Sequence, residues 1–185
     1  MALQPQAALE EAVLRTVRGL ASGSRYGSDN SGRMYDGEPK PACGRLWVSV
    51  WGDLARRSES DTHLAETFSV FVTITLRGGE QPWDAWLRLR DELELRANEI
   101  RAAVHIDCWN NRIQRLASSL MGADGAGQKV GFRERLKFEG LDAVQRVGPD
   151  WFKASLDRVS AADSGLALRL RFGGLKLIQA LATME

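Results

Sequence analysis

At 185 residues the chain can build one good hydrophobic core, and a second full domain is not expected. Hydrophobic residues at 44% and charged residues at 26% exclude global disorder. Twenty-five basic and 24 acidic side chains leave a net charge of +1, so the chain as a whole is not a polyanion binder, although a local basic patch remains compatible with it.

Chain order begins with a short helix. Leu9, Val13, Val17 and Leu20 recur at helical spacing over Ala7–Leu20, and Gly19 and Gly23 favour its end. Glu10 and Glu11 lie within this pattern and no basic cluster leads it, which speaks against a signal peptide. Ser22–Pro41 is dense in Gly, Ser, Asp and Asn and reads as a long exposed loop that rests on a partner or stays mobile.

Arg45–Trp51 alternates, with Leu46, Val48 and Val50 on one side and Trp47, Ser49 and Trp51 on the other, a strand expected to be covered on both faces. Gly52–Glu66 is polar and reads as a solvated connection. Thr67–Leu76 is the clearest strand: Phe68, Val70, Val72, Ile74 and Leu76 share a face rich in β-branched residues. Pro82 suits a first helical turn, and Trp86, Leu89, Leu93, Ala97, Ile100 and Val104 then mark one stripe of a long helix. A second helical pattern, Trp109–Met121, continues it or bends away near Asp107.

Gly122–Gly131 reads as a glycine-rich hinge. Leu141–Val147 suggests a brief helix, and Trp151–Val159 with Leu166–Phe172 a second strand pair. Leu175–Leu181 is an apolar tail, helical if structured. The expected architecture is a single α+β domain over residues 1–185. An antiparallel sheet is built from two strand pairs, with a long helix packed across one face and a short N-terminal helix.

Candidate chemistry is sparse. Cys43 and Cys108 make no disulfide framework and no CxxC zinc spacing, as in a reduced cytosolic chain. His63 and His105 lack a converging ligand set, so neither a metal nor another cofactor is expected. Cys108 and His105, three residues apart on a helix, could form a nucleophile–base pair, but no orienting third group or oxyanion hole accompanies them. Gly122–Lys129 has glycines and a lysine but lacks the phosphate-loop register, with Val130 where Ser or Thr should stand. The carboxylates Asp91, Glu92 and Glu94 sit among arginines, as on a salt-bridged solvent face. Arg169 and Arg171, with Arg158 before them, suggest a cationic sheet face that meets solvent, an acidic partner or passing DNA. Six tryptophans occur, and Trp47 and Trp51 suit a core or a subunit interface.

The segments YDGEPKP (Tyr35–Pro41), RLWVSVWG (Arg45–Gly52), TFSVFVTITLRG (Thr67–Gly78) and the helix from Pro82 come in an order that resembles the tail terminator and related neck proteins of long-tailed bacteriophages. The resemblance covers roughly the first hundred residues. It implies a structural virion subunit rather than an enzyme, made in the host cytoplasm. The subunit would form a ring, a homohexamer in that family, that caps the tail tube and meets head-completion or connector proteins. On this view Trp47, Trp51, Arg56, Arg57, Arg158, Arg169 and Arg171 belong to subunit contacts or line the lumen, where DNA passes. No catalytic residue, cofactor or membrane contact is implied, and no stretch approaches the roughly 20 apolar residues of a membrane span. The alternatives are a cytoplasmic adaptor or tail-assembly chaperone and, more remotely, a small Cys/His hydrolase.

Overall fold

The structure is a computed structural model that describes residues 2–20, 31–32, 46–60, 63–78, 83–122, 130–152 and 164–180. It is an α+β protein with an antiparallel, curled sheet. In chain order the elements are α1 (Pro5–Arg18), β1 (Ser31–Gly32), β2 (Leu46–Glu59), β3 (His63–Arg77), α2 (Trp83–Trp109), α3 (Arg112–Leu120), β4 (Val130–Arg133), β5 (Lys137–Leu141), β6 (Gln145–Val147), the single turn α4 (Pro149–Phe152) and β7 (Gly165–Ala180). β3 lies at the centre, antiparallel to β2 on one side and β7 on the other. The far edge of β7 carries β4, β5 and β6 in turn, and β1 adds a two-residue parallel rung to β2 at Val48 and Ser49.

The register follows from alternation. Val48 and Val50 of β2, Val70, Val72, Ile74 and Leu76 of β3, and Leu168, Leu170 and Phe172 of β7 are all buried, and their pairings put them side by side on one face. Leu89, Leu93, Ala97, Ile100 and Val104 of α2 join the same hydrophobic cluster. Each large side chain so buried contributes roughly 1.5–3 kcal/mol. Leu9, Val13 and Val17 of α1 are fully buried as their spacing predicts and meet Ile113 and Ala117 of α3 in that cluster. The helical run after α2 bends away rather than continuing. It breaks at Asn111, which takes φ 57°, a left-handed conformation that asparagine tolerates better than most residues.

Several expectations change. Gly52–Glu66 is no loop: β2 runs on to Glu59 and β3 starts at His63, so the segment forms two paired arms of one hairpin. Its polar side chains hid the strands, because every residue from Asp53 to Ser60 is exposed and no apolar alternation is needed there. Leu141–Val147 is not helical: Leu141 ends β5 and Gln145–Val147 is β6. Of Leu175–Leu181, expected to be helical if structured, Leu175–Ala180 is the second half of β7, with Leu175 and Leu177 fully buried, and residue 181 lies outside the described ones. Of the second strand pair, Leu166–Phe172 lies within β7, whereas Trp151 and Phe152 belong to α4; residues 153–163 lie outside the described ones. Within the expected loop 22–41, Ser31–Gly32 forms β1; within the expected hinge 122–131, Val130 and Gly131 open β4. Most of both segments lies outside the described residues.

Irregularities line up across the sheet. β2 has Ala55 unpaired between Leu54 and Arg56. β7 sets Gly173 and Gly174 against the single residue Ser69 of β3, and β5 carries Glu139 as an extra residue. Gly174 sits at φ 86°, and the carboxylate of Glu139 occupies the space where a side chain on Gly173 would go. Bulges bend and twist the strands that carry them, so an aligned row of them curls the whole sheet at one level.

Candidate functional site

The curl divides β2 into a part inside the body and a part that forms the border of the sheet. The division falls next to Gly52, where α1 touches the strand. Gln6 and Glu10 are one helical turn apart, on the same face of α1. Gln6 Nε2 donates to the Gly52 carbonyl at 2.6 Å, and the Gly52 N–H donates to Glu10 Oε1 at 2.6 Å. A side chain at Gly52 would press on both residues at 3.2 Å, which is why the strand carries glycine there. α1 thus satisfies the outward backbone groups of one residue on the strand edge. Beyond it, from Asp53 to Glu59, no described strand pairs with that side of β2. A bare edge of this kind is a template for another strand.

The face of the sheet away from α2 gathers several of the residues singled out from sequence. Trp51 pairs with Phe71, and Phe71 with Arg171; Ser49 pairs with Thr73, and Thr73 with Arg169. Trp51 is 43% exposed, whereas Ser49, Thr73 and Thr75 are buried. The expected cover on both faces therefore holds at Ser49 and fails at Trp51. Arg169 Nε lies 3.4 Å from Thr73 Oγ1, with its guanidinium 5.9 Å from the centre of the Phe71 ring. Arg171 Nε lies 3.1 Å from Asp142 Oδ1, so part of the expected cationic face is neutralised by the turn after β5. Asp142, Ala143 and Gln145 close a small cleft over Thr73 and Arg169.

The remaining candidates separate. Arg56 pairs with Thr67 on the same face as Arg171, further out on the hairpin. Arg57 points to the opposite face, where Nε donates to Glu66 Oε1 at 2.9 Å. Trp47 stands opposite Thr75 in the ladder, with its side chain outside the described ones, and Arg158 lies outside the described residues altogether. Trp51, Arg169 and Arg171 therefore share one surface, and Arg57 does not belong to it. Sequence reasoning missed Gln6 and Glu10. Their four-residue spacing on a buried helix face was the available signal, because a glutamate at such a position must find a donor.

The thiol–imidazole pair is poorly placed for chemistry. Cys108 is 2% exposed, and burial pushes its thiol up from 9.0 to about 12, against a smaller opposing effect of a backbone hydrogen bond from Leu136. A reactive thiolate needs the reverse shift. His105 points outward and stacks loosely on Trp109, the ring centres 6.3 Å apart. Among the described residues no cluster of three or more His, Cys, Asp or Glu side chains could hold a metal ion. No described helix is long and apolar enough to cross a membrane. Comparison with protein families and with characterised proteins finds no match to this chain.

Proposed function

We propose that the protein is a self-associating structural subunit: a ring-forming tail terminator or neck component of a long-tailed bacteriophage, most simply a homohexamer that caps the tail tube and meets the head-side connector. The observation that carries this reading is the bare border of β2. Seven consecutive residues of strand, Asp53–Glu59, offer an edge without a partner among the described residues. Repetition of the same chain around an axis satisfies such an edge in every copy at once. In this reading the hairpin and β7, backed by the long helix α2, form a stiff wall, and Trp51, Arg56, Arg169 and Arg171 face a neighbour or the lumen. The burial of Cys108 weighs against the hydrolase alternative, because the thiol is neither ionised nor accessible.

The test is assembly. Sedimentation and negative-stain microscopy of the concentrated protein are expected to show closed rings of several copies. Gly52 faces its backbone outward opposite Val70, and Arg57 repeats that orientation opposite Glu66, so Arg57→Pro removes an edge donor without touching the β2–β3 ladder and should leave a folded monomer with an unchanged circular dichroism spectrum. A wild-type protein that stays monomeric at every concentration overturns the reading.

A further inference from the structure

The near-zero net charge conceals an uneven distribution. Where the end of α2, the start of α3 and the β4–β5 turn meet, the stretches 101–115 and 133–137 hold six cations, Arg101, Arg112, Arg115, Arg133, Arg135 and Lys137, against two carboxylates. Both carboxylates are engaged: Asp107 accepts from Thr16 at 2.9 Å and lies 3.4 Å from Arg112, and Glu134 lies 2.7 Å from Lys176. Trp109 stands in the middle of this patch, 62% exposed, with the Arg135 guanidinium 4.2 Å from its ring. About two turns earlier on α2, Arg101 lies over Phe138 at 5.2 Å.

An open groove of about 760 Å³ runs between α3 and β4 at the same place, lined by Asn111, Gln114, Arg115, Ser118, Phe132 and Arg133 with Glu134. Gln114 spans its inner end, donating to the carbonyls of Cys108 and Glu134. The carbonyls that Gln114 binds belong to the residues just before Trp109 and Arg135, so the stacked pair lies next to the groove although neither residue lines it. The lining is amide, hydroxyl and guanidinium, with one aromatic ring and one carboxylate, that of Glu134, which Lys176 neutralises. A chain of anions that also carries flat rings matches both features: the cations track its charge and the open tryptophan stacks on a ring.

We propose that this groove and Trp109 bind single-stranded nucleic acid without sequence preference, independently of the ring reading above. Guanidiniums at Arg115, Arg133 and Arg135 take phosphates, and Trp109 takes one base. The experiment measures binding of the full chain to three probes at 50 mM salt by fluorescence anisotropy: a labelled 20-nucleotide thymidine strand, a duplex of that length, and polyglutamate of equal charge. The single strand is expected to bind at least about tenfold tighter than the other two. Trp109→Ala should weaken it by about 5- to 150-fold, the worth of one stacked base, and Trp109→Phe should keep most of the affinity. Replacing Arg115, Arg133 and Arg135 together by alanine should flatten the salt dependence, by about 0.7 in log–log slope per phosphate lost. Arg88→Ala, exposed in the first half of α2, should change nothing. Equal or tighter binding of the duplex overturns the proposal in favour of a duplex-backbone surface, and equal binding of polyglutamate in favour of an acidic protein partner. No binding of any probe, or no effect of Trp109→Ala, overturns it outright.

Discussion

Beyond the row of bulges, β2 and β7 flank β3 at the same level of one sheet, yet their side chains meet opposite conditions. On β7, Leu175 and Leu177 are fully buried, and Phe68 of β3 beside them meets Phe132 edge-on at 6.2 Å. On β2, every side chain from Asp53 to Ser60 is exposed. The cause is what lies beyond each strand. β7 has β4 on its far side, and Leu175 and Leu177 belong to the cluster that also holds Ile113 of α3 and Val13 of α1. On β2 the last backbone groups held by α1 are those of Gly52, and past it the start of α1 borders only an open pocket with Leu54 and Arg57. Backbone pairing to β3 is enough to keep β2 extended, so a strand can persist where no side chain is buried. Extended structure and burial are thus separable, and the exposed half is free to serve an interaction.

The comparison is sharpened most by removing side chains at equivalent levels. Leu177→Ala should lower stability by about 2–5 kcal/mol, the usual cost of a large core truncation, and urea denaturation would read it as a lower midpoint. Arg56→Ala, on the exposed half, should stay within about 0.5 kcal/mol of wild type in the same assay. Equal losses at the two positions would break the contrast. Glu10→Ala strips the Gly52 N–H of its buried acceptor and should cost about 1–3 kcal/mol. Arg57→Ala takes two donors from the buried Glu66 carboxylate and should cost about 1–3 kcal/mol.

The core shared by α2, α3 and β7 carries a titration marker as well. The Cys108 thiol has its folded pKa raised to about 12 from 9.0, so the folded state holds its proton after the unfolded chain has released it. This contribution to stability is complete below about pH 9 and is lost as the pH rises from there toward about 12. Denaturation midpoints measured across that range should fall less steeply in Cys108→Ala than in wild type. In native protein at neutral pH the thiol should react slowly with a disulfide reagent and rapidly once denaturant is added.

Much of the body was legible because burial wrote itself into spacing. Val70, Val72 and Ile74 declared a strand, and Leu89, Leu93 and Ile100 a helix. The arm from Asp53 to Glu59 was illegible because nothing about it is buried and polar residues carry no period. The second half of β7 misled for another reason: Leu175, Leu177 and Ile178 in a short run suit a helix or a strand, and only the partner β3 decides between them. Of the candidate surface, Trp51, Arg169 and Arg171 could be named from alternation, but their adjacency could not, since it depends on Phe71 linking two ladders. The basic end around Trp109 was invisible for the opposite reason: its charges lie far apart in the chain, and a net charge near zero averages them away.

The clasp of Gln6 and Glu10 on Gly52 also limits what can lie alongside β2. A visiting strand can align with the border from the hairpin tip inward, but at Gly52 it meets a helix already holding the backbone. Helix α1 is therefore a fixed stop, and sliding of that strand past Gly52 is checked at one end before any side chain is read.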